Sequence, residues 1–91
     1  MKKLKLNADG RVQGVGFRYT TKMAADQLGV YGTVKNEWDG SVTIEVCGDD
    51  QRVDRFVERI RQSPSPAGNV TKLTIEENPN MEETDRFDVI Y

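Results

Sequence analysis

Apolar and polar residues alternate along the first twelve positions of the chain. One phase carries the apolar or small residues Leu4, Leu6, Ala8, Gly10 and Val12, and the other carries Lys3, Lys5, Asn7, Asp9 and Arg11. In a strand, successive side chains point to opposite faces of the sheet. The alternation therefore predicts a strand with one face in the core and one face in water.

Two later stretches have helical periodicity. The first places apolar and small residues at Phe17, Thr21, Ala24, Ala25 and Leu28. Gly29 follows as a stop signal, so we predict a helix over about residues 18 to 28. The second stripe, at Val53, Phe56, Val57 and Ile60, predicts another helix. Residues 48–50 supply its cap, and the prolines within 63–66 end it.

A hairpin is predicted between the two helices. Its first strand has Val30, Gly32, Val34 and Asn36 on one phase, and its second strand has Val42, Ile44 and Val46. Asp39 and Gly40 lie between the strands and favour a tight turn. Asn36 is thus expected at the end of a strand, on the phase of Val34.

Less regular apolar patterns predict strands at residues 70–75 and 87–91, joined by an acidic loop over 76–85. The predicted order is β-α-β-β-α-β with a short extra terminal strand. This order is typical of an α+β, ferredoxin-like sandwich, with an antiparallel sheet and both helices on one face. We expect residues 1–91 to form a single domain.

The composition limits the possible chemistry. The 91 residues include no histidine, which excludes Ser-His-Asp and Cys-His catalysis and imidazole metal sites. Cys47 is the only cysteine, so no intrachain disulfide can form. Because the sequence also shows no secretory signal and no apolar run long enough to cross a bilayer, we expect a cytoplasmic protein that does not bind membranes.

Charge is distributed unevenly along the chain. The formal net charge of −2 argues against a general nucleic-acid binder. Residues 1–22 carry six basic and one acidic side chain, whereas residues 76–91 carry one basic and six acidic ones. A small anion would therefore be drawn toward the amino-terminal part of the chain.

A glycine-rich loop lies in that basic part, between the first predicted strand and the first predicted helix. Its sequence runs from Gly10 to Arg18 as GRVQGVGFR. Gly14 and Gly16 have no Cβ, so several backbone N–H groups there can point at one ligand. Arg18 falls at the start of the helix, where free N–H groups and the helix dipole already favour an anion. The spacing is neither that of a Walker loop nor that of the dinucleotide fingerprint. The expected ligand is therefore a phosphate group that is not part of a nucleotide.

Two motifs in this order resemble those of the acylphosphatase family, along nearly the whole chain. The first is the loop from Gly10 to Arg18, and the second is GTVKNEWDGSV, from Gly32 to Val42. The resemblance implies hydrolysis of a carboxyl-phosphate anhydride to a carboxylate and inorganic phosphate, with no cofactor and no metal. Small acyl phosphates such as 1,3-bisphosphoglycerate or carbamoyl phosphate are the substrates that it suggests.

The resemblance also assigns roles to residues. Arg18 matches the family's phosphate-binding arginine, and Asn36 matches the asparagine that holds the attacking water. The phosphate-binding loop comprises Gln13, Gly14, Val15, Gly16, Phe17 and Arg18. Asn36 cannot accept a proton at neutral pH, so we expect a phosphate oxygen of the substrate to receive it.

Alternatives remain for the function and for individual residues. An accessory anion-binding domain is the main rival, because domains of this type also occur in larger proteins. The start at Met1 and the closing strand favour a free-standing enzyme, which we expect to be a monomer. RNA binding is disfavoured, because RNA-recognition motifs carry aromatic residues on the exposed sheet face and this chain has mainly polar ones there. Trp38 either lines the mouth of the site or packs on the hairpin. Cys47 is expected on the side of its strand that faces solvent.

Overall fold

The stretches with alternating residues form strands, and the stretches with helical periodicity form helices, as predicted from the sequence. The computed structural model describes all of residues 1–91. Its elements are β1 (Lys2–Arg11), α1 (Phe17–Leu28), β2 (Tyr31–Asn36), β3 (Val42–Gly48), α2 (Asp50–Arg61), β4 (Asn69–Glu77) and β5 (Phe87–Ile90). Asp49 caps α2 by accepting a hydrogen bond from the Arg52 N–H at 3.2 Å. Neither helix is long and apolar enough to cross a membrane.

The five strands form one sheet in the order β4-β1-β3-β2-β5. The pairs β1/β3, β1/β4 and β2/β3 are antiparallel, and β5 adds a parallel pair with β2. This arrangement confirms the ferredoxin-like α+β fold, but the sheet is mixed and not wholly antiparallel as predicted, because β5 pairs in parallel with β2. Since β1 and β2 both run antiparallel to β3, they share one direction with β5. The carboxyl ends of β1, β2 and β5 therefore lie at the same edge of the sheet.

Both helices pack on one face of this sheet. One cluster of buried side chains combines the inward phase of the strands with the apolar stripes of α1 and α2; it includes Leu6, Ile44, Val34, Phe17, Phe56 and Ile60. Phe56 of α2 also contacts Phe87 of β5, with 5.8 Å between ring centroids. Burial of each such side chain contributes about 1.5 to 3 kcal/mol, so this cluster supplies the driving force that fixes the layers.

Two expectations about local structure need correction. Residues 76 and 77, predicted in the acidic loop, continue β4 because their backbone still pairs with Lys5 and Leu4 of β1. Cys47 lies on the phase opposite the core, as predicted, but its side chain is fully buried. It belongs to the central strand β3, opposite Lys3 on β1 and Tyr31 on β2, and these flanking strands exclude it from water.

Gly32 permits a close approach within the sheet, and we expect Gly32→Ala to be strongly destabilising. Gly32 has φ +145°, and a Cβ there would overlap the Glu45 carbonyl oxygen of β3. Because the neighbour is backbone and cannot move aside, the free energy of unfolding should fall by at least about 3 kcal/mol. Urea denaturation measures the difference.

Thr33→Ala on the same strand is the control, because it shortens a half-buried side chain without a clash. It should lower the free energy of unfolding by only about 1 kcal/mol or less. Equal losses in the two variants would contradict a steric requirement for glycine at position 32.

Candidate active site

The loop between β1 and α1 leaves a group of backbone N–H donors without partners. Gly14 and Gly16 adopt left-handed conformations with φ +74° and +76°. The N–H groups of residues 14 to 17 donate to no other backbone group of the chain. Gly14 and Gly16 are exposed, so water or an anion can reach their N–H groups, whereas Phe17 is buried and its donor needs a partner. An unpaired set at the start of a helix therefore forms a site suited to an anion.

Hydrogen bonds to the loop carbonyls orient these donors. The Gly16 carbonyl accepts a bond from the Thr20 N–H at 3.0 Å, so it points along α1. In a trans peptide the C=O and the following N–H point in opposite directions. The Phe17 N–H is therefore directed away from the helix, toward the loop. By the same geometry, the Ser65 hydroxyl, which donates to the Val15 carbonyl at 2.6 Å, turns the Gly16 N–H away from Ser65.

Arg18 is the second residue of α1 and faces the end of β5. Its Nη1 donates to the Ile90 carbonyl at 3.3 Å, and its guanidinium carbon lies 4.8 Å from the centre of the Tyr91 ring. No carboxylate lies within ion-pair distance of Arg18. Its charge is thus held in place by a carbonyl and an aromatic ring, neither of which neutralises it.

Asn36 ends β2, which brings it to the edge where β1 and β5 also end. Its Oδ1 atom is buried and has no hydrogen-bond partner within the chain. Leaving a buried acceptor unpaired costs about 1 to 3 kcal/mol. An acceptor held in this way is suited to take a hydrogen bond from a small ligand or a water molecule.

These features border one cavity of about 200 Å³. Its lining consists of Val12, Gly14, Gly16, Phe17, Arg18, Tyr19, Asn36, Val89 and Tyr91. Of the residues singled out in the sequence, the cavity therefore brings together Gly14, Gly16, Phe17, Arg18 and Asn36. The lining includes no aspartate or glutamate, so an anion there meets only one charged side chain, and that one is cationic.

Gln13 and Val15 do not line the cavity but attach the loop to its surroundings. The Gln13 side-chain Nε2 donates to the carbonyls of Glu37 and Ser41, at 2.6 and 2.8 Å. This clamp joins the loop to the hairpin that follows Asn36. Val15 packs against the core, and its carbonyl accepts the bond from Ser65.

Larger cavities lie elsewhere, so volume does not identify the site. One of about 800 Å³ lies between the amino terminus, α2 and β4, away from the loop. Another of about 360 Å³ lies over the polar sheet face and is lined by Glu37, Trp38 and Asp39, among others. Trp38 is 99% exposed, borders this second cavity and is absent from the lining of the loop cavity. It is therefore not at the mouth of the loop cavity. No group of three or more potential metal-ligating side chains occurs in the chain.

Comparison with known proteins identifies the family. A family model described as acylphosphatase matches residues 4–89. The chain belongs to the acylphosphatase family. An acylphosphatase from Enterococcus faecalis is 57% identical over 90 residues, which cover 99% of each chain. The crystal structure of an acylphosphatase from Bacillus subtilis has a TM-score of 0.94 at 40% identity and covers the whole of both chains.

The same fold also occurs within a longer protein. The crystal structure of full-length HypF in its phosphate- and nucleotide-bound form has a TM-score of 0.89 at 26% identity. The match covers 99% of this chain but only 12% of that one. The full-length relatives named acylphosphatase establish the enzyme class, which is hydrolysis of acyl phosphates to a carboxylate and inorganic phosphate.

Sequence reasoning missed Tyr19 and Tyr91 as residues that line the cavity and Ser65 as a residue that holds its loop. Ser65 is only 3% exposed, although it lies in a turn with two prolines where serine is usually solvated. Its role depends on a contact with Val15, fifty positions away in sequence. The two tyrosines are 66% and 96% exposed, and only the tertiary structure brings them to one cavity.

If the loop between β1 and α1 binds phosphate, we predict that Ser65→Ala weakens this binding about three- to tenfold. The lost hydrogen bond fixes the peptide that carries the Gly16 N–H, and such a bond contributes about 0.5 to 1.5 kcal/mol. The inhibition constant of inorganic phosphate measures the effect. Thr71→Val is the matched control, because it removes a hydroxyl that donates to the Asp9 carbonyl at 3.3 Å, away from the cavity. Similar inhibition constants for Ser65→Ala and wild type would contradict this prediction.

The turn after Asn36 should make stability depend on pH. The hydroxyl and N–H of Ser41 donate to the Asp39 carboxylate at 2.7 and 2.9 Å, and they lower the pKa of Asp39. A depressed folded-state pKa stabilises the fold above the ordinary carboxyl pKa, and this contribution is lost as the pH falls through the folded value. The stability advantage of wild type over Asp39→Asn should therefore be constant above about pH 5 and shrink below about pH 4. Urea unfolding at several pH values tests this, and a pH-independent difference would refute it.

Proposed function

We propose that the loop cavity is the catalytic site and that it hydrolyses acyl phosphates without a metal ion. The loop amides of residues 13 to 17 and the Arg18 guanidinium would bind the phosphoryl group, and Asn36 would orient the attacking water. The convergence of unpaired N–H groups, an unneutralised arginine and an unpaired amide oxygen on one cavity supports this assignment. Phosphoryl transfer needs positioning and charge stabilisation more than covalent participation by the protein.

The reaction balances without a general acid. The water oxygen forms a bond to phosphorus while the bond between phosphorus and the acyl oxygen breaks. The electron pair of the broken bond leaves with the carboxylate. Because the parent carboxylic acid has a pKa of about 4, this group departs unprotonated. A dianionic acyl phosphate and water thus yield a carboxylate and a dihydrogen phosphate monoanion.

The proton released by water goes to an oxygen of the phosphoryl group. No aspartate or glutamate side chain borders the cavity. Glu37 and Asp39 border the separate cavity on the polar sheet face, and the Asp39 carboxylate is hydrogen-bonded to Ser41. These positions favour transfer to the substrate over transfer to either carboxylate.

The proposed context is a free-standing, monomeric, cytoplasmic enzyme whose single domain spans residues 1–91. Small acyl phosphates fit a cavity of about 200 Å³, with inorganic phosphate as the product. The competing function is phosphate binding without turnover, which the match to a small part of HypF brings into consideration. Release of phosphate over many turnovers distinguishes an enzyme from a binding domain.

Substitutions of Arg18 and Asn36 should affect different steps. Arg18→Ala should lower kcat/KM by a hundredfold or more and weaken inhibition by phosphate, because it removes the cation that binds the phosphoryl group. Asn36→Ala should lower kcat by a similar factor while leaving phosphate inhibition nearly unchanged, because it removes only the contact to water. The rate of phosphate release from acetyl phosphate, assayed with excess chelator, measures the kinetic parameters of both variants.

Arg61→Ala is the control, because Arg61 pairs with Glu58 on α2, away from the cavity. It should retain wild-type kinetics. If the wild-type enzyme lost its turnover in chelator, metal independence would be refuted. If Arg18→Ala turned over at the wild-type rate, the assignment of the loop cavity as the catalytic site would be refuted.

A further inference from the structure

The sheet has one long open edge. Strand β4 is an outermost strand and pairs only with β1. It has nine residues, whereas β5, at the other edge, has four. An outermost strand carries backbone N–H and C=O groups that no strand of the same chain can pair. The open edge of β4 can therefore accept a further strand.

The hydrogen bonds to β1 show which backbone groups of β4 are open. The Asn78 N–H, just after β4, donates to the Lys3 carbonyl at 3.0 Å. In an antiparallel pair, the residues that bond to a given neighbour alternate along the strand. Between residues 72 and 77, even-numbered residues therefore bond to β1, and odd-numbered ones direct their N–H and C=O groups away from the sheet. These outward residues are Leu73, Ile75 and Glu77.

The helix-facing side of β4 is apolar and incompletely covered. Leu73 and Ile75 lie opposite Ala8 and Leu6 of β1, both of which are fully buried. Ile75 is nevertheless 42% exposed and borders the cavity of about 800 Å³ between β4 and α2. Its apolar surface is therefore free to pack against a strand added at this edge.

The other side of β4 carries unpaired charges. Lys72 lies opposite Asp9 of β1, and Glu76 lies opposite Lys5. Neither Lys72 nor Glu76 takes part in an ion pair. Charged residues on an edge strand usually oppose pairing with another chain, so any partner strand must match these two charges.

We propose that β4 pairs with β4 of a second copy of this chain, antiparallel and about a two-fold axis at Thr74. The two five-stranded sheets then join into one. In this register Leu73 of each copy forms a hydrogen-bonded pair with Ile75 of the other, because both residues direct their backbone groups outward. The exposed apolar surface of Ile75 is covered at the same time.

The same register pairs the charges with opposite sign. Lys72 of each copy faces Glu76 of the other, in non-hydrogen-bonded pairs, where opposite side chains approach closely. Asp9, Lys72, Glu76 and Lys5 then form a row across four strands in which the sign alternates.

Other two-fold registers lose this match. Moving the axis by one residue takes Lys72 and Glu76 out of direct opposition. Moving it by two places Lys72 against Lys72 or Glu76 against Glu76, and like charges directly opposite each other are destabilising. The charges on β4 therefore select the axis at Thr74.

The dimer should be weak, so the monomer of the proposed function is the species at the low concentrations of an assay. Pairing of one edge strand covers less than the about 800 Å² per partner of a stable complex. We expect a dissociation constant of roughly 0.1 to 1 mM at low salt. Sedimentation equilibrium over a range of protein concentrations measures it. A wild-type protein that stays monomeric at about 3 mM would overturn the proposal, by mass action.

A charge exchange tests the contact between the two copies. Lys72→Glu alone and Glu76→Lys alone each place like charges together at two symmetric positions, and each should raise the dissociation constant at least about fivefold. A mixture of the two variants should associate nearly as well as wild type, because chains with two carboxylates then face chains with two ammonium groups.

Lys35→Glu is the control for the charge exchange, because it makes the same change in net charge on β2, which does not lie at the open edge. It should dimerise nearly as wild type does, and circular dichroism checks the fold of every variant. Equal dissociation constants for Lys72→Glu and Lys35→Glu would contradict the contact. A mixture that associates no better than either variant alone would also contradict it.

A cysteine on the axis tests the register. Thr74→Cys should form a disulfide-linked dimer under a mild oxidant, because opposite Cα atoms in a non-hydrogen-bonded pair are about 4.5 Å apart, within the disulfide range. Thr71→Cys, exposed on the same strand, should react far less because position 71 faces 77. The native Cys47 is buried and does not compete. Equal yields from Thr74→Cys and Thr71→Cys would overturn the axis at Thr74.

Discussion

A set of backbone N–H groups that the fold leaves without partners is the constraint behind this site. In this part of the chain, sheet hydrogen bonds stop at the end of β1, and helical hydrogen bonds begin with the Gly16 carbonyl. The residues between these two points therefore take part in neither the sheet nor the helix. The unpaired donors are retained because glycine permits the left-handed turns and because Gln13 and Ser65 hold the loop from outside. Donors fixed before a ligand arrives need no reorganisation when charge develops on it.

The sheet topology explains why separate parts of the chain meet at this loop. Strands β1, β2 and β5 run in one direction and end at one edge, which places the loop, Asn36 and Tyr91 together. The parallel pairing of β5 with β2 is essential to this arrangement, since the end of β5 supplies the carbonyl and the ring that hold Arg18. A chain without histidine can thus assemble its proposed chemistry from an arginine, an amide and the backbone.

Much of this arrangement was predictable because local rules and the global fold agree. The alternation in β1, the glycines before α1 and the phase of Asn36 on β2 follow from periodicity and turn chemistry, which act over a few residues. The burial of Cys47 was not predictable in this way, because it depends on which strands flank β3. The bond from Ser65 to Val15 and the presence of Tyr19 and Tyr91 in one cavity lining likewise depend on long-range packing that no local pattern encodes. The extension of β4 depends on a pairing partner, β1, at the other end of the sequence.

The position of Tyr91 has a practical consequence for handling the protein. The last strand delivers Tyr91 to the mouth of the cavity, against the guanidinium of Arg18. Lys2, the first residue of β1, instead pairs with Gly48, at the opposite end of β3 from the position that faces Asn36. An affinity tag or reporter fused behind Tyr91 would therefore obstruct entry to the cavity, whereas the same fusion before β1 would emerge at the far end of the sheet.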